Sequence, residues 1–165
     1  MTNYICINGK KAELTEEQMK ALGIELPKAS PFNRSVLANH KYYTIDSTGE
    51  VFSTDDMHHS VDIQRYRIAN YCTDASILEQ RALHETLNRL LWRYSMEHDG
   101  DKIDWNNISA CKWYIYYDFR DNRWNYDNKF HSCDFGVFFY SNAVAHDAIE
   151  EIIKPFMKAH PEFKW

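Results

Sequence analysis

A chain of 165 residues buries roughly two thirds of its unfolded surface, so one domain, or one domain with a small appendage, folds without disulfide or metal. The net charge of -5 removes a generally basic surface for gripping phosphates and disfavours direct nucleic-acid binding outside local clusters such as Arg65 with Arg67 or Arg120 with Arg123. Aromatic residues make up 15% of the chain, and most stand in strand-like runs, which assigns them first to half-buried sheet and second to an interface.

Taken in chain order, residues 4–7 and 11–14 flank Asn8-Gly9, a pair that tolerates the positive φ angles of a tight hairpin. Thr15 followed by Gln18 has capping-box spacing and opens a short helix that Gly23 stops. Pro27 and Pro31 disfavour helix before them, so the expected organisation is a hairpin-helix module over 1–26, a linker over 27–40 and a main domain over 41–165.

In the main domain, strands at 42–45 and 51–53 flank the turn 46–49, and a polar loop over 53–60 carries His58 and His59. Adjacent histidines on an extended segment point opposite ways, so the loop reads as solvated and no metal site is assigned. A third strand is expected over 66–72, after which the Thr73 hydroxyl caps a helix running from Asp74 toward His98. Leu83, Leu87, Leu90, Leu91 and Tyr94 form its core-facing stripe, and Glu85 is spaced to pair with Arg81 and Arg89 on the other side. His84 reads as a hydrogen-bonded residue at the core edge, and Asp99, Asp101 and Asp104 as turn chemistry, because the bidentate Glu of a calcium loop is missing.

The same order recurs: strands over 113–119 and 124–126 around Arg120-Asp121-Asn122, a third over 137–140, then a helix capped by Ser141. Its stripe is Ala145, Ala148, Ile149, Ile152, Ile153 and Phe156, with Pro155 forcing a kink or a new turn. The predicted fold class is therefore α+β, an antiparallel, aromatic-rich sheet packed on two long helices; the recurrence reads either as a repeated unit at 41–98 and 111–158 or as the chance recurrence that any α+β chain can contain.

Alternation along residues 113–119 sends Trp113, Ile115, Tyr117 and Phe119 inward and leaves Tyr114 and Tyr116 on the opposite face. With one of Trp124 or Tyr126, and bordered by Arg120 and Arg123, they form the candidate binding strip; a second packed layer over them, provided by the N-terminal module, is the competing reading. No phosphate-cradling glycine loop, nucleophile elbow or zinc motif is present, so no catalytic residue, metal or cofactor is assigned. Cys133 beside His131 and Asp134 has the residue types of a thiol nucleophile site, but neighbours in sequence are seldom partners in space. Cys6, Cys72, Cys111 and Cys133 form no CxxC pair, and no apolar run reaches the ~20 residues that span a bilayer, so a reduced, cytoplasmic setting without membrane contact is expected.

Four blocks carry a resemblance: Tyr4-Ile5-Cys6-Ile7-Asn8-Gly9-Lys10 with Leu14-Thr15-Glu16-Glu17-Gln18; Asn70-Tyr71-Cys72-Thr73 with residues 85–94; residues 112–118; and Ala148-Ile149-Glu150-Glu151-Ile152. Through them the chain resembles small accessory proteins of phages and prophages of Gram-positive bacteria. These are scaffold motifs, and the resemblance supplies no catalytic residues. It implies a protein that binds a host protein or protein–nucleic acid complex in the host cytoplasm, including inhibition of immunity systems such as CRISPR, with oligomeric state left open and a homodimer among the options. The alternatives are sequestration of a small nucleotide-type ligand, with Tyr114, Tyr116 or Trp124 stacking the base and Arg120 or Arg123 meeting a phosphate, and an enzyme using Cys133.

Overall fold

The structure, a computed structural model, describes residues 4–7, 10–13, 15–23, 30–34, 39–132 and 135–164, and the chain divides into units of residues 1–33 and 34–165. In the first unit, β1 (Tyr4–Ile7) pairs antiparallel with β2 (Lys10–Glu13), Tyr4 opposite Glu13 and Ile7 opposite Lys10. The Asn8-Gly9 turn lies outside the described residues. Helix α1 (Glu16–Ala21) opens with the expected reciprocal cap: Gln18 N–H donates to Thr15 Oγ1 at 3.2 Å and Thr15 N–H to Gln18 Oε1 at 2.9 Å. Gly23 follows at φ +68°, the left-handed geometry that ends a helix.

The second unit is α+β. Strands β3 (His40–Ile45) and β4 (Val51–Asp56) form an antiparallel hairpin. Its turn is organised by Asp46, whose carboxylate accepts from Thr48 N–H, Thr48 Oγ1 and Glu50 N–H, while Gly49 takes φ +95°. Beyond β4 the expected loop and third strand are replaced. Helix α2 (Ser60–Arg67) follows, with Asp62 Oδ2 accepting from the N–H groups of Met57 (3.2 Å) and His59 (3.0 Å) at its entry. Ala69 at φ +56° then breaks the extended run read over 66–72, and only Cys72 bridges to β3. Strand propensity in Tyr66 and Ile68 is overridden by the carboxylate that nucleates the helix upstream.

Helix α3 (Ala75–Glu97) is capped by Asp74 rather than Thr73; the Asp74 carboxylate accepts from Ser76 N–H at 3.0 Å. Its stripe meets the core as read, Leu87 and Tyr94 buried and Leu83, Leu90 and Leu91 packed against them. Glu85 pairs with Arg81 (2.7 Å) and Arg89 (3.3 Å) on the solvent side. A 3-10 turn (Gly100–Lys102) and a loop lead to β5 (Lys112–Asp118), the centre of a sheet ordered β6-β5-β7 with β6 (Arg123–Lys129) and β7 (Phe138–Phe139) both antiparallel to it.

Ser141 caps helix α4 (Asn142–Ala148), its Oγ accepting from Val144 N–H at 3.3 Å. A π turn (Ile149–Ile153) and helix α5 (Lys154–Ala159) continue it, Lys154 N–H reaching back to Ile149 O. The widened turn stands immediately before Pro155, whose ring crowds the carbonyl four residues back. Ala145, Ala148, Ile149, Ile153 and Phe156 are buried. Among the described residues, no helix is long and apolar enough to cross a membrane.

The two halves of this unit place their strands alike and differ in α2, which lies between β4 and Cys72 in the first half. In each, a central strand carries a hairpin partner on one side and an antiparallel element on the other, Cys72 against Tyr43 and Phe139 against Trp113. That element precedes a helix cap by two residues both times, Cys72 before Asp74 and Phe139 before Ser141.

Candidate functional site

The candidate strip lies on β5, and its neighbours are fixed by register. Residues directly opposite in an antiparallel pair share a face. Tyr117 stands opposite Trp124, Ile115 opposite Tyr126 and Trp113 opposite both Asn128 and Phe139, so these residues occupy one face. That face packs on α3, α4 and the π turn: Ile115 and Tyr126 join the cluster of Tyr94, Phe139, Ala145 and Ala148, and Trp124 joins that of Leu87, Ile149, Ile153 and Phe156. Trp124 and Tyr126 therefore do not belong to the strip, correcting the sequence expectation. Three residues between Phe119 and Arg123 set a register that sends both inward.

The outer face carries Tyr114 and Tyr116, with Asp127 and Asn125 opposite them, Lys112 and Lys129 at one end, and Asp118 and Arg123 at the other. The tyrosine rings lie 5.9 Å apart, tilted by 36°, and both are half-buried. Lys129 Nζ sits 4.8 Å from the Tyr114 ring centroid, a cation held over a ring face. Phe138 on β7 continues the aromatic row 6.3 Å from Tyr114.

One end of the row is covered by the loop that precedes β5. Trp105, from the loop before β5, stands edge-on to Phe138 at 5.5 Å, and the buried Lys112 ammonium donates to the carbonyls of Asn107 (3.0 Å) and Ala110 (3.1 Å) in the same loop. The roof is part of the second unit itself. Trp105 remains 52% exposed and extends the row toward solvent.

At the other end, Asp118 accepts from Arg120 N–H at 2.9 Å and pairs with the Arg120 guanidinium at 3.3 Å, which holds the carboxyl below its ordinary range. Arg123 pairs with Asp121 at 3.0 Å. Both arginines thus border the row, each with a carboxylate neighbour. Phe119 was expected inward and is 76% exposed, because β5 ends at Asp118 and the turn releases it.

Two cavities open on the other side of the sheet, with Trp124 lining both. One, of about 620 Å³, also has Tyr117, Arg123, His146, Glu150 and Lys154 in its walls. The other, of about 440 Å³, is floored by Leu87, Leu91, Ile115 and Phe139. Trp124 and Arg123 thus meet at one cavity, while Tyr114 and Tyr116 are absent from its walls.

Of the thiol grouping, Cys133 and Asp134 lie outside the described residues, and His131 is exposed. His84 is bonded as read, its Nε2 lying 2.7 Å from Lys164 O with the ring against Phe163. Asp104 accepts from the N–H groups of Asn106 and Asn107, capping its own turn. Sequence reasoning missed Trp105, Lys129 and Phe138 as members of the row. Lys129 follows from the strand register alone, whereas Trp105 and Phe138 depend on contacts made across long loops.

Comparison of the chain with protein-family models, curated proteins and solved structures gives no match.

Proposed function

We propose that this chain is a non-enzymatic binding protein of phage origin that docks on a macromolecule of the bacterial host and blocks it, with a nuclease-type (CRISPR) immunity component as the leading target. The observation that carries this reading is the outer-face row of Trp105, Tyr114 and Tyr116, bordered by Lys129, Arg120 and Arg123. Aromatic rings ringed by arginines are the composition that concentrates binding energy at protein interfaces. The resemblance of the four sequence blocks to phage accessory proteins supports the choice of target.

The test is to titrate the purified protein into an RNA-guided nuclease of a Gram-positive bacterium loaded with guide and target DNA. Cleavage falling at stoichiometric protein, with a complex seen by size-exclusion chromatography, is the expected result. Unchanged cleavage by representatives of each nuclease type, with no complex formed, overturns the leading target.

A second reading, sequestration of a nucleotide-type ligand, draws on the cavity where Trp124, Arg123, His146 and Lys154 converge. Native mass spectrometry of the protein purified from infected cells separates the two, since a retained nucleotide mass favours sequestration.

A further inference from the structure

The two hairpins of the second unit treat their outer edges differently. On β6, Tyr126 N–H donates to Asn125 Oδ1 at 3.0 Å and Asn128 N–H to Asp127 Oδ1 at 2.7 Å. These two N–H groups are thereby satisfied by the preceding side chain, which blunts the edge against further strand pairing. On β4 the corresponding groups of Ser53 and Asp55 have no partner among the described residues.

Which β4 groups point outward follows from β3. Tyr43 exchanges N–H and C=O bonds with Cys72, and Ile45 does so with the Asn70 carboxamide, so both face away from β4. Tyr42 and Thr44 therefore face it, and their partners Thr54 and Phe52 bond inward. Val51, Ser53 and Asp55 are left with N–H and C=O directed off the edge, and no described residue bonds those of Ser53 or Asp55. Ser53 and Asp55 are both exposed. Main-chain donors and acceptors in this alternating row accept one kind of occupant, an extended strand.

The geometry points to a second copy of this chain as that occupant, its β4 lying antiparallel to the first about a two-fold axis through Ser53. In this register Ser53 bonds Ser53 of the copy in both directions, and Val51 and Asp55 of each copy bond Asp55 and Val51 of the other. The three outward residues are thus all used, and the two hairpins become one four-stranded sheet ordered β3-β4-β4-β3. Asp55 meets Val51 rather than another carboxylate, so like charges do not oppose one another across the seam. Phe52, 38% exposed with the Arg65 guanidinium 5.4 Å from its ring centroid, faces Thr54 of the copy, an aromatic with a β-branched residue. The surface is distinct from the Tyr114–Tyr116 row, so the dimer stands or falls independently of the proposed function.

The test is sedimentation velocity across a wide concentration range, with two variants. Ser53→Pro removes an outward N–H and no bond to β3, because proline is tolerated on an edge strand with its nitrogen facing out. Wild type and Ser53→Ala are expected to pass reversibly from monomer to dimer as concentration rises, and Ser53→Pro to stay monomeric with an unchanged circular dichroism spectrum. If Ser53→Pro loses its fold, Ser53→Cys in a Cys111→Ser background decides. Hydrogen-bonded opposite residues have Cα atoms about 5.5 Å apart, within disulfide reach. Oxidation should therefore trap a covalent dimer with Ser53→Cys and not with Asp55→Cys, whose opposite residue is Val51. A wild type that remains monomeric throughout, a dimer that survives Ser53→Pro, or equal trapping at positions 53 and 55 overturns the proposal.

Discussion

The Asn70 carboxamide grips both main-chain groups of Ile45: Ile45 N–H donates to Asn70 Oδ1 at 2.8 Å, and Asn70 Nδ2 donates to Ile45 O at 2.7 Å. A side chain here takes the place of a strand's peptide group. Together with the Cys72 bridge to Tyr43 it supplies the third edge of the β3–β4 hairpin, the role that β7 plays for β5.

Asn70→Ala should accordingly expose two polar groups of Ile45 that the fold half-buries, at a cost of about 1–3 kcal/mol. Asn70→Asp keeps the acceptor and sets a carboxylate against the Ile45 carbonyl, so it should restore little. Urea unfolding measures the loss, and amide exchange should show Ile45 N–H losing protection before that of Tyr43, which retains Cys72.

Arg34 and Asp56 make a bidentate pair at 2.6 and 2.7 Å around a carboxylate with no exposed surface. The guanidinium holds the Asp56 carboxyl down from 3.8 to about 2. A depressed carboxyl contributes stability that is complete above its unfolded value of 3.8 and is lost as pH falls through about 2. The gap is worth about 2 kcal/mol. Arg34→Ala strands the charge, costing about 3 kcal/mol at neutral pH, and the difference from wild type should narrow as pH falls below about 4. Chemical denaturation at a series of pH values measures both curves.

Strong periodicity and turn chemistry made most of this fold legible: the Thr15 and Ser141 caps, the Asp46 turn, the α3 stripe and the β5 alternation all read directly from spacing. The failures share a cause. Residues 60–67 have weak helical periodicity, and their helix depends on Asp62, which the sequence places in no pattern and which the fold ties to Tyr42 Oη at 2.7 Å. Likewise, which face of the second sheet Trp124 occupies is a matter of register, and an error of one residue flips it.

Gly100 approaches the preceding helix so closely that a Cβ there would stand 2.6 Å from Ser95 O and still closer to Ser95 Oγ. That hydroxyl donates to Phe138 O at 2.6 Å and anchors β7. Gly100→Ala should cost about 1–3 kcal/mol through overpacking. Because the clash involves a backbone carbonyl, the cost should persist in a Ser95→Ala background. Thermal melts of the two single variants and the double variant test it, and a cost that vanishes without the Ser95 hydroxyl shows that the side chain alone sets the spacing.

The two faces of the β5–β6 hairpin predict opposite profiles for its aromatic residues. Trp124 packs on the cluster of Leu87, Ile153 and Phe156, so Trp124→Ala should cost about 3 kcal/mol, while Trp124→Phe keeps most of that packing. Tyr114→Ala and Tyr116→Ala remove half-buried rings from the outer face and should cost less, about 1 kcal/mol each. If the outer row docks on a host macromolecule, the tyrosine variants should weaken inhibition about tenfold or more while Trp124→Phe leaves it intact. Inhibition that survives both tyrosine changes and disappears in a folded Trp124→Phe protein would transfer the activity to the cavity face, where Arg123 and Lys154 stand beside the indole. Stability and inhibition measured on the same four variants therefore separate a docking strip from a ligand cavity.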